Sequence, residues 1–228
     1  LRADVDAFVT VDGDNTVLAQ QISRYLLSQL ASQMKTPGSN VLMLLKELVD
    51  SLMQKNFFIV RNTRSSHLNS AEFQSNLLRL REARHLLNLA ARFRYRMTSL
   101  KLPPLEAWNQ VLDHSATLSN AFMQRRVFES FTAAIKQSTH PNNTTVLNIL
   151  RSLYGLTIID SDKWFVTSGL LMPEKSKAIR KEILSLCQQL KPHALQLVDA
   201  FGVPDFVLKS TIAGEWEKRD TIIVQSKL

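Results

Sequence analysis

One short acidic turn, one arginine strip and one C-terminal tripeptide hold the residues whose type and spacing suit chemistry. The turn is Asp12-Gly13-Asp14-Asn15-Thr16, followed by Val17, Leu18, Gln21, Ile22, Tyr25 and Leu26 at spacings of three and four. That periodicity predicts a helix starting near Asp14, with Asp14 or Asn15 supplying the oxygen that caps its first free amides. Read as structure alone, the turn is a helix N-cap. Read for function, a carboxylate held just before a helix start can face a pocket, and the free amides and positive dipole end behind it suit a phosphate or pyrophosphate.

The strip comprises Arg81, Arg84, Arg92 and Arg96, which fall on one side of a helix at 100° per residue. Its bland reading, a solvated or intersubunit face, outweighs a polyanion site, because nucleic-acid binding wants exposed aromatics interleaved with the charge. The tail Ser226-Lys227-Leu228 spells the tripeptide that the peroxisomal import receptor reads as a free C-terminus, an address rather than an anchor. Other signatures are missing. His67, His85, His114, His140 and His193 are scattered without metal-site spacing, so no metal is expected. There is no glycine-rich phosphate loop, nucleophile elbow or EF-hand ligand series.

The elements that must position these residues read as helices. Val5, Phe8, Val9 and Val11 alternate before the turn. A second helix is predicted through Val41, Leu44, Leu45, Leu48 and Leu52 after Thr36-Pro37-Gly38-Ser39. From Ala71 to about Leu100 one long helix carries two apolar stripes, Phe73-Leu77-Leu80-Leu87-Ala91 and Leu86-Leu89-Phe93-Met97, so it should be covered on two sides in the middle of a bundle. Pro103-Pro104 opens the next helix, which runs through Leu105, Trp108, Leu112, Leu118, Phe122 and Phe131 to the break at His140-Pro141. Thr145 to Leu156 reads as a further helix, with a mixed stretch through Trp164, Phe165 and Gly169. A last long helix is expected from Glu174 to about Phe201, burying Ile179, Ile183, Leu186, Leu190, Leu195 and Val198, with Pro192 as a kink or junction. Cys187 reads as a small buried side chain. The sum is an all-α, mostly antiparallel bundle.

Composition bounds the rest. The 228 residues are 45% apolar and carry 28 Lys+Arg against 20 Asp+Glu, a formal charge of +8, which excludes disorder and collagen-like structure. No run approaches the roughly 18 apolar residues of a membrane span, so a soluble chain is expected. The lone cysteine rules out an internal disulfide and fits a reducing compartment. The acidic start carries no secretory pattern, and the missing initiator Met suggests a fragment.

Several of these segments together carry a resemblance. Thr10-Val11-Asp12-Gly13-Asp14-Asn15-Thr16-Val17-Leu18-Ala19-Gln20-Gln21 resembles the T-F-E-G-D-N-T-V-L-x-Q-Q segment of peroxisomal acyl-CoA oxidases. Arg151-Ser152-Leu153-Tyr154-Gly155-Leu156, then Leu197 to Leu208, are similar to that family's late helices in the same order, and Ser226-Lys227-Leu228 closes the chain. The resemblance spans nearly the whole sequence. It implies the C-terminal helical portion of a flavoenzyme that desaturates a fatty acyl-CoA to the trans-2-enoyl-CoA with FAD and passes the electrons to oxygen, making hydrogen peroxide in the peroxisomal matrix.

On that resemblance Asp12 takes the place of the family's catalytic Glu, while Gly13, Asp14, Asn15 and Thr16 contact the FAD or thioester. It also implies fatty acyl-CoA and oxygen as substrates, a homodimer, and upstream domains that hold the flavin ring. The implied organisation is residues 1–66 closing the flavin-contacting helical domain, 67–209 forming a C-terminal helical bundle, and 210–228 forming a targeting tail. Two positions depart from the pattern: Asp12 is one methylene shorter than the family Glu, and Val11 replaces an aromatic. A base set back by about 1 Å loses on the order of 10²-fold in rate. Asp12 is therefore a weak base, a base on a shifted backbone, or the mark of a non-catalytic paralogue; a retained, slower base is expected because Gly13-Asp14-Asn15-Thr16 is kept. The competing class is a basic helical module that binds an acidic partner or nucleic acid through Arg79 to Arg96.

Overall fold

The computed structural model describes residues 15–35 and 62–203. Asp12, Gly13, Asp14, the alternating stretch Val5–Val11, the helix expected through Val41–Leu52 and the tail Ser226-Lys227-Leu228 lie outside the described residues. The described residues fall into two units, one reaching Cys187 and one starting at Gln188.

The first unit is all-α. Its helices are α1 (Thr16–Lys35), α2 (Ser65–Leu68), α3 (Ala71–Thr98), α4 (Pro104–Asn109), α5 (Leu112–Gln137), α6 (Pro141–Ser161), α7 (Trp164–Thr167) and the main part of α8 (Pro173–Leu190). No strand occurs among the described residues. Local chemistry sets the ends. Ser70 Oγ accepts from Phe73 N at the start of α3, with Glu72 in the first turn. Prolines open α4, α6 and α8, where an absent amide leaves nothing unpaired. Gly169, at φ +75°, supplies the left-handed turn after α7 that a side chain would strain.

Chain direction follows from side-chain pairs. Arg79 and Arg81 on α3 bond Glu129 and Gln124 on α5, whereas Arg96, further along α3, reaches back to Gln110 just before α5. Those two helices are antiparallel. Ala19 and Ser23 of α1 meet Ser119 and Ser115 of α5 in the same reversed order. By contrast Gln74 pairs with Ser152 and Arg81 with Asp162, so α3 and α6 run parallel. The bundle is mostly antiparallel, as its sequence pattern predicts.

Two cores flank α3, matching its two apolar stripes. The larger gathers Phe73, Leu77, Leu80, Phe128, Leu156, Phe165 and Ile179. The smaller is Leu89, Trp108, Val111 and Leu118, joined by Leu26, Leu27, Leu86 and Phe93.

Four expectations need correction. The helix predicted to run from Pro103-Pro104 to His140 breaks at Gln110-Val111, where Val111 leaves helical geometry at φ −122°, ψ +14°, so that Trp108 and Val111 both enter the smaller core. The helix predicted for Thr145 to Leu156 extends from Pro141 to Ser161. The last helix ends at Leu190, because Pro192 has no amide to donate. In the second unit a 3₁₀ turn (Lys191–His193) leads into α9 (Ala194–Asp199), whose Leu195 and Val198 are exposed rather than buried. Cys187 is exposed as well, pointing away from the Ile179–Leu186 face of α8.

Candidate functional site

Of the acidic turn, the structure places Asn15 and Thr16. Asn15 stands at the N-cap position, its carbonyl accepting from Ala19 N at 2.9 Å, and both residues are exposed at the open end of α1. No acidic residue occupies the first turn of α1. The exposed amide and hydroxyl at a helix start are the group types that hold a phosphate oxygen.

What holds α1 is a seat of small residues. Ser23 is fully buried and donates its hydroxyl to Ser115 O at 2.7 Å, while Ser119 donates to Ala19 O, with Ser23 Oγ 2.8 Å away as the alternative acceptor. Ala19 with Ser23, and Ser115 with Ser119, are each four residues apart, so each pair lies on one helix face. Short side chains let the two backbones approach, and the Ser23 and Ser119 hydroxyls bond backbone carbonyls across the contact, while Ser115 takes part through its carbonyl and its own buried hydroxyl has no partner. Outside this seat, Arg24 lies over the Trp108 ring at 4.9 Å, and Leu26 and Leu27 enter the smaller core. Nothing in the hydrophobic periodicity pointed to the serines. The signal that could have found them is the matched small-residue spacing on two helices.

The arginine strip divides. Arg84 and Arg92 are exposed, as a solvated face would be, but Arg81 is 3% exposed. Its Nη1 donates to Asp162 Oδ2 at 3.0 Å and its Nη2 to Gln124 Oε1. Asp162 Oδ1 in turn accepts from Trp164 N at 2.9 Å, so one carboxylate both caps α7 and neutralises a buried guanidinium. Burial lowers the Arg81 pKa, and Asp162 opposes that pull. The expectation of a solvated strip fails at Arg81 because Asp162 at the α6–α7 junction closes over it. This residue is a strut rather than an anion site.

A further buried polar group joins α2 to α8. Glu182 accepts from Ser65 Oγ at 2.7 Å and from Asn69 Nδ2 at 2.6 Å. Lys175 is 1% exposed, with Nζ 3.3 Å from His67 Nε2 and 4.1 Å above the Phe73 ring. Burial lowers its pKa to about 8. His67 is lowered too, by burial first and by Lys175 second. Among the described residues no group of three His, Cys, Asp or Glu could hold a metal ion. No described helix is long and apolar enough to cross a membrane.

Known proteins give this bundle its place. The acyl-CoA oxidase family profile matches residues 70–215, more than half of the sequence, and the chain belongs to the acyl-CoA oxidase family. It is 34% identical over 218 residues to the peroxisomal acyl-coenzyme A oxidase 2 of Arabidopsis thaliana, covering 93% of this chain and 31% of that protein. Its fold matches the solved acyl-CoA oxidase 1 of the same plant with a TM-score of 0.72 at 21% identity, over 90% of this chain and 30% of the other. It also matches acyl-CoA oxidase-2 of Caenorhabditis elegans, solved with FAD, ascaroside-CoA and ATP, with a TM-score of 0.68 at 19% identity, over 90% of this chain and 29% of the other. The chain spans about a third of the length of the curated relatives it matches.

Proposed function

We propose that this chain forms the C-terminal helical part of a peroxisomal, FAD-dependent acyl-CoA oxidase. The observation that carries the reading is the family match over residues 70–215, joined to a helix whose exposed N-cap end directly follows Asp12-Gly13-Asp14. In this reading the Asp12 carboxylate takes the α-proton of a fatty acyl-CoA whose thioester carbonyl is polarised. FAD, when bound, supplies the two-electron acceptor for the β-hydride. Gly13 lets the backbone approach cofactor and thioester. Asp14, Asn15 and Thr16 line the nucleotide at the helix start, and the Ser23–Ser115–Ser119 seat holds that start against α5.

The finer features belong to the same proposal: residues 1–66 complete the flavin-contacting part, 67–209 form the C-terminal domain, and the tail to Ser226-Lys227-Leu228 is read by the import receptor. The working form is a homodimer, with oxygen as the final acceptor and hydrogen peroxide as a product.

The test compares Asp12→Asn and Asp12→Glu in the full-length protein, by peroxide formation with an acyl-CoA and by flavin absorbance. Loss of a general base costs about 10²–10⁴-fold in rate, so Asn should fall by that amount with flavin content unchanged. Glu, one methylene longer, should equal or exceed the parent. An unchanged rate in Asp12→Asn rules out Asp12 as the base.

A further inference from the structure

The smaller core has an open mouth. An apolar cleft of about 420 Å³ is lined by Arg24, Leu27, Phe93, Pro104, Leu105 and Trp108. Leu105 is 70% exposed, whereas Trp108 is 6% exposed and closes the floor, its ring edge-on to Phe93 at 5.9 Å. Among the described residues Arg24 has no carboxylate partner; its guanidinium lies over the Trp108 ring. The Trp108 Nε1–H is buried and has no hydrogen-bond partner.

Two segments beside the cleft are basic. Residues 16–35, which form α1, contain no Asp or Glu, and neither do residues 83–105, which include Arg84, Arg92, Arg94, Arg96 and Lys101. Glu106 on α4 is exposed and follows Leu105, but among the described residues no carboxylate pairs with Arg24, and the surrounding arginines outnumber that one acid, so the local field favours anions. The cleft volume is that of a small-molecule site: apolar walls with one polar group to fix orientation. Arg24 lies eight residues beyond Thr16, about 12 Å along α1 at 1.5 Å per residue, so this place is distinct from the acidic turn.

We propose that this cleft binds a single-chain anionic amphiphile, its hydrocarbon chain against Leu27, Phe93, Leu105 and Trp108 and its acid head on Arg24. Apolar walls recognise the chain, and the lone guanidinium selects the charge of the head. A neutral amphiphile would bury Arg24 without an ion partner, and a cationic one would be repelled. The inference concerns a site beside the proposed catalytic turn and stands whether or not Asp12 is a base.

The probe is dodecanoate, titrated below its micelle concentration against the full chain by calorimetry, with bromine-labelled dodecanoate as a contact quencher of indole fluorescence. One saturable site is expected, with quenching of Trp108, and with dodecanol and dodecyltrimethylammonium at least 10-fold weaker. Arg24→Gln should weaken dodecanoate at least 10-fold without moving the unfolding temperature, and Leu105→Glu, at an exposed position, should abolish binding. Absence of saturable binding overturns the proposal, as does equal affinity for the alcohol, or unchanged affinity in Arg24→Gln. Binding to phosphatidylglycerol vesicles with none to the monomeric acid also overturns it, since the face would then be a membrane-contacting surface.

Discussion

Gly155 on α6 shows what a missing methyl group can hold in place. A Cβ there would sit 2.9 Å from Phe128 Cε2 and 2.9 Å from Gln74 Cδ, and closer still to Gln74 Oε1. Gln74 is fully buried and fixed by Nε2 donating to Leu68 O at 2.8 Å, so its amide is not free to swing away. Overpacking a tight core costs about 1–3 kcal/mol, against about 1 kcal/mol regained from the better helix propensity of alanine. Gly155→Ala should therefore destabilise by up to about 2 kcal/mol and lower the unfolding temperature by up to about 8 °C in a calorimetric scan. The neighbouring residues of the same motif work likewise. Arg151 Nη2 donates to Asn69 O at 3.0 Å and to Ser152 Oγ at 3.1 Å, tying α6 to the α2–α3 junction. The run Arg151-Ser152-Leu153-Tyr154-Gly155-Leu156, which carries part of the family resemblance, is accordingly a packing signature.

Among the elements, α1 matters most because its first turn follows the proposed base. Its seat is polar and small, so it should respond to side-chain length more than to hydrophobicity. Ser23→Ala removes one hydroxyl donor and leaves Ser115 O without it, a cost of about 1–2 kcal/mol. Ser23→Leu pushes the helices apart and should cost more. Hydrogen exchange of the α1 amides should quicken in both variants, most in Ser23→Leu, while the α6 amides stay protected; unchanged α1 exchange would refute the seat. Helix existence was legible where two apolar stripes ran without interruption, as in α3, and where proline marked an end, as at Pro104 and Pro141, whereas the short α7 before Gly169 was read only as a mixed stretch. The break at Gln110-Val111 was not legible, since neither residue is a breaker and tertiary burial of Trp108 and Val111 decides it. Leu195 and Val198 fit the helical period but lie past the turn at Pro192, where the register of α8 no longer applies. Arg81 was misread for the same reason: periodicity places a residue on a face but does not tell which distant carboxylate will cover it. Within the candidate site, the helix start near Asn15 was legible, while the serines that hold that helix were silent because they lack any hydrophobic signal.

At the scale of the whole molecule the buried bases set how stability responds to pH. His67, His85 and His114 are all lowered, chiefly by burial, and Lys175 is lowered to about 8 by burial. A base with a depressed pKa holds fewer protons when folded than when unfolded, so between its two values the unfolded chain binds the excess and stability rises with pH. For the histidines that window ends near the ordinary value of about 6.5, and for Lys175 it runs from about 8 toward 10.5. Tyr154 acts oppositely. Burial raises its pKa, so above about 10 the unfolded chain loses that proton first and stability declines. The unfolding temperature should thus climb as pH rises toward about 6.5, climb again between about 8 and 10, and fall beyond. Lys175→Met, which keeps an unbranched apolar stem beside Phe73, should erase the second climb and leave the first in place. A Lys175→Met profile that still rises between pH 8 and 10 would mean that a group other than Lys175 sets that climb.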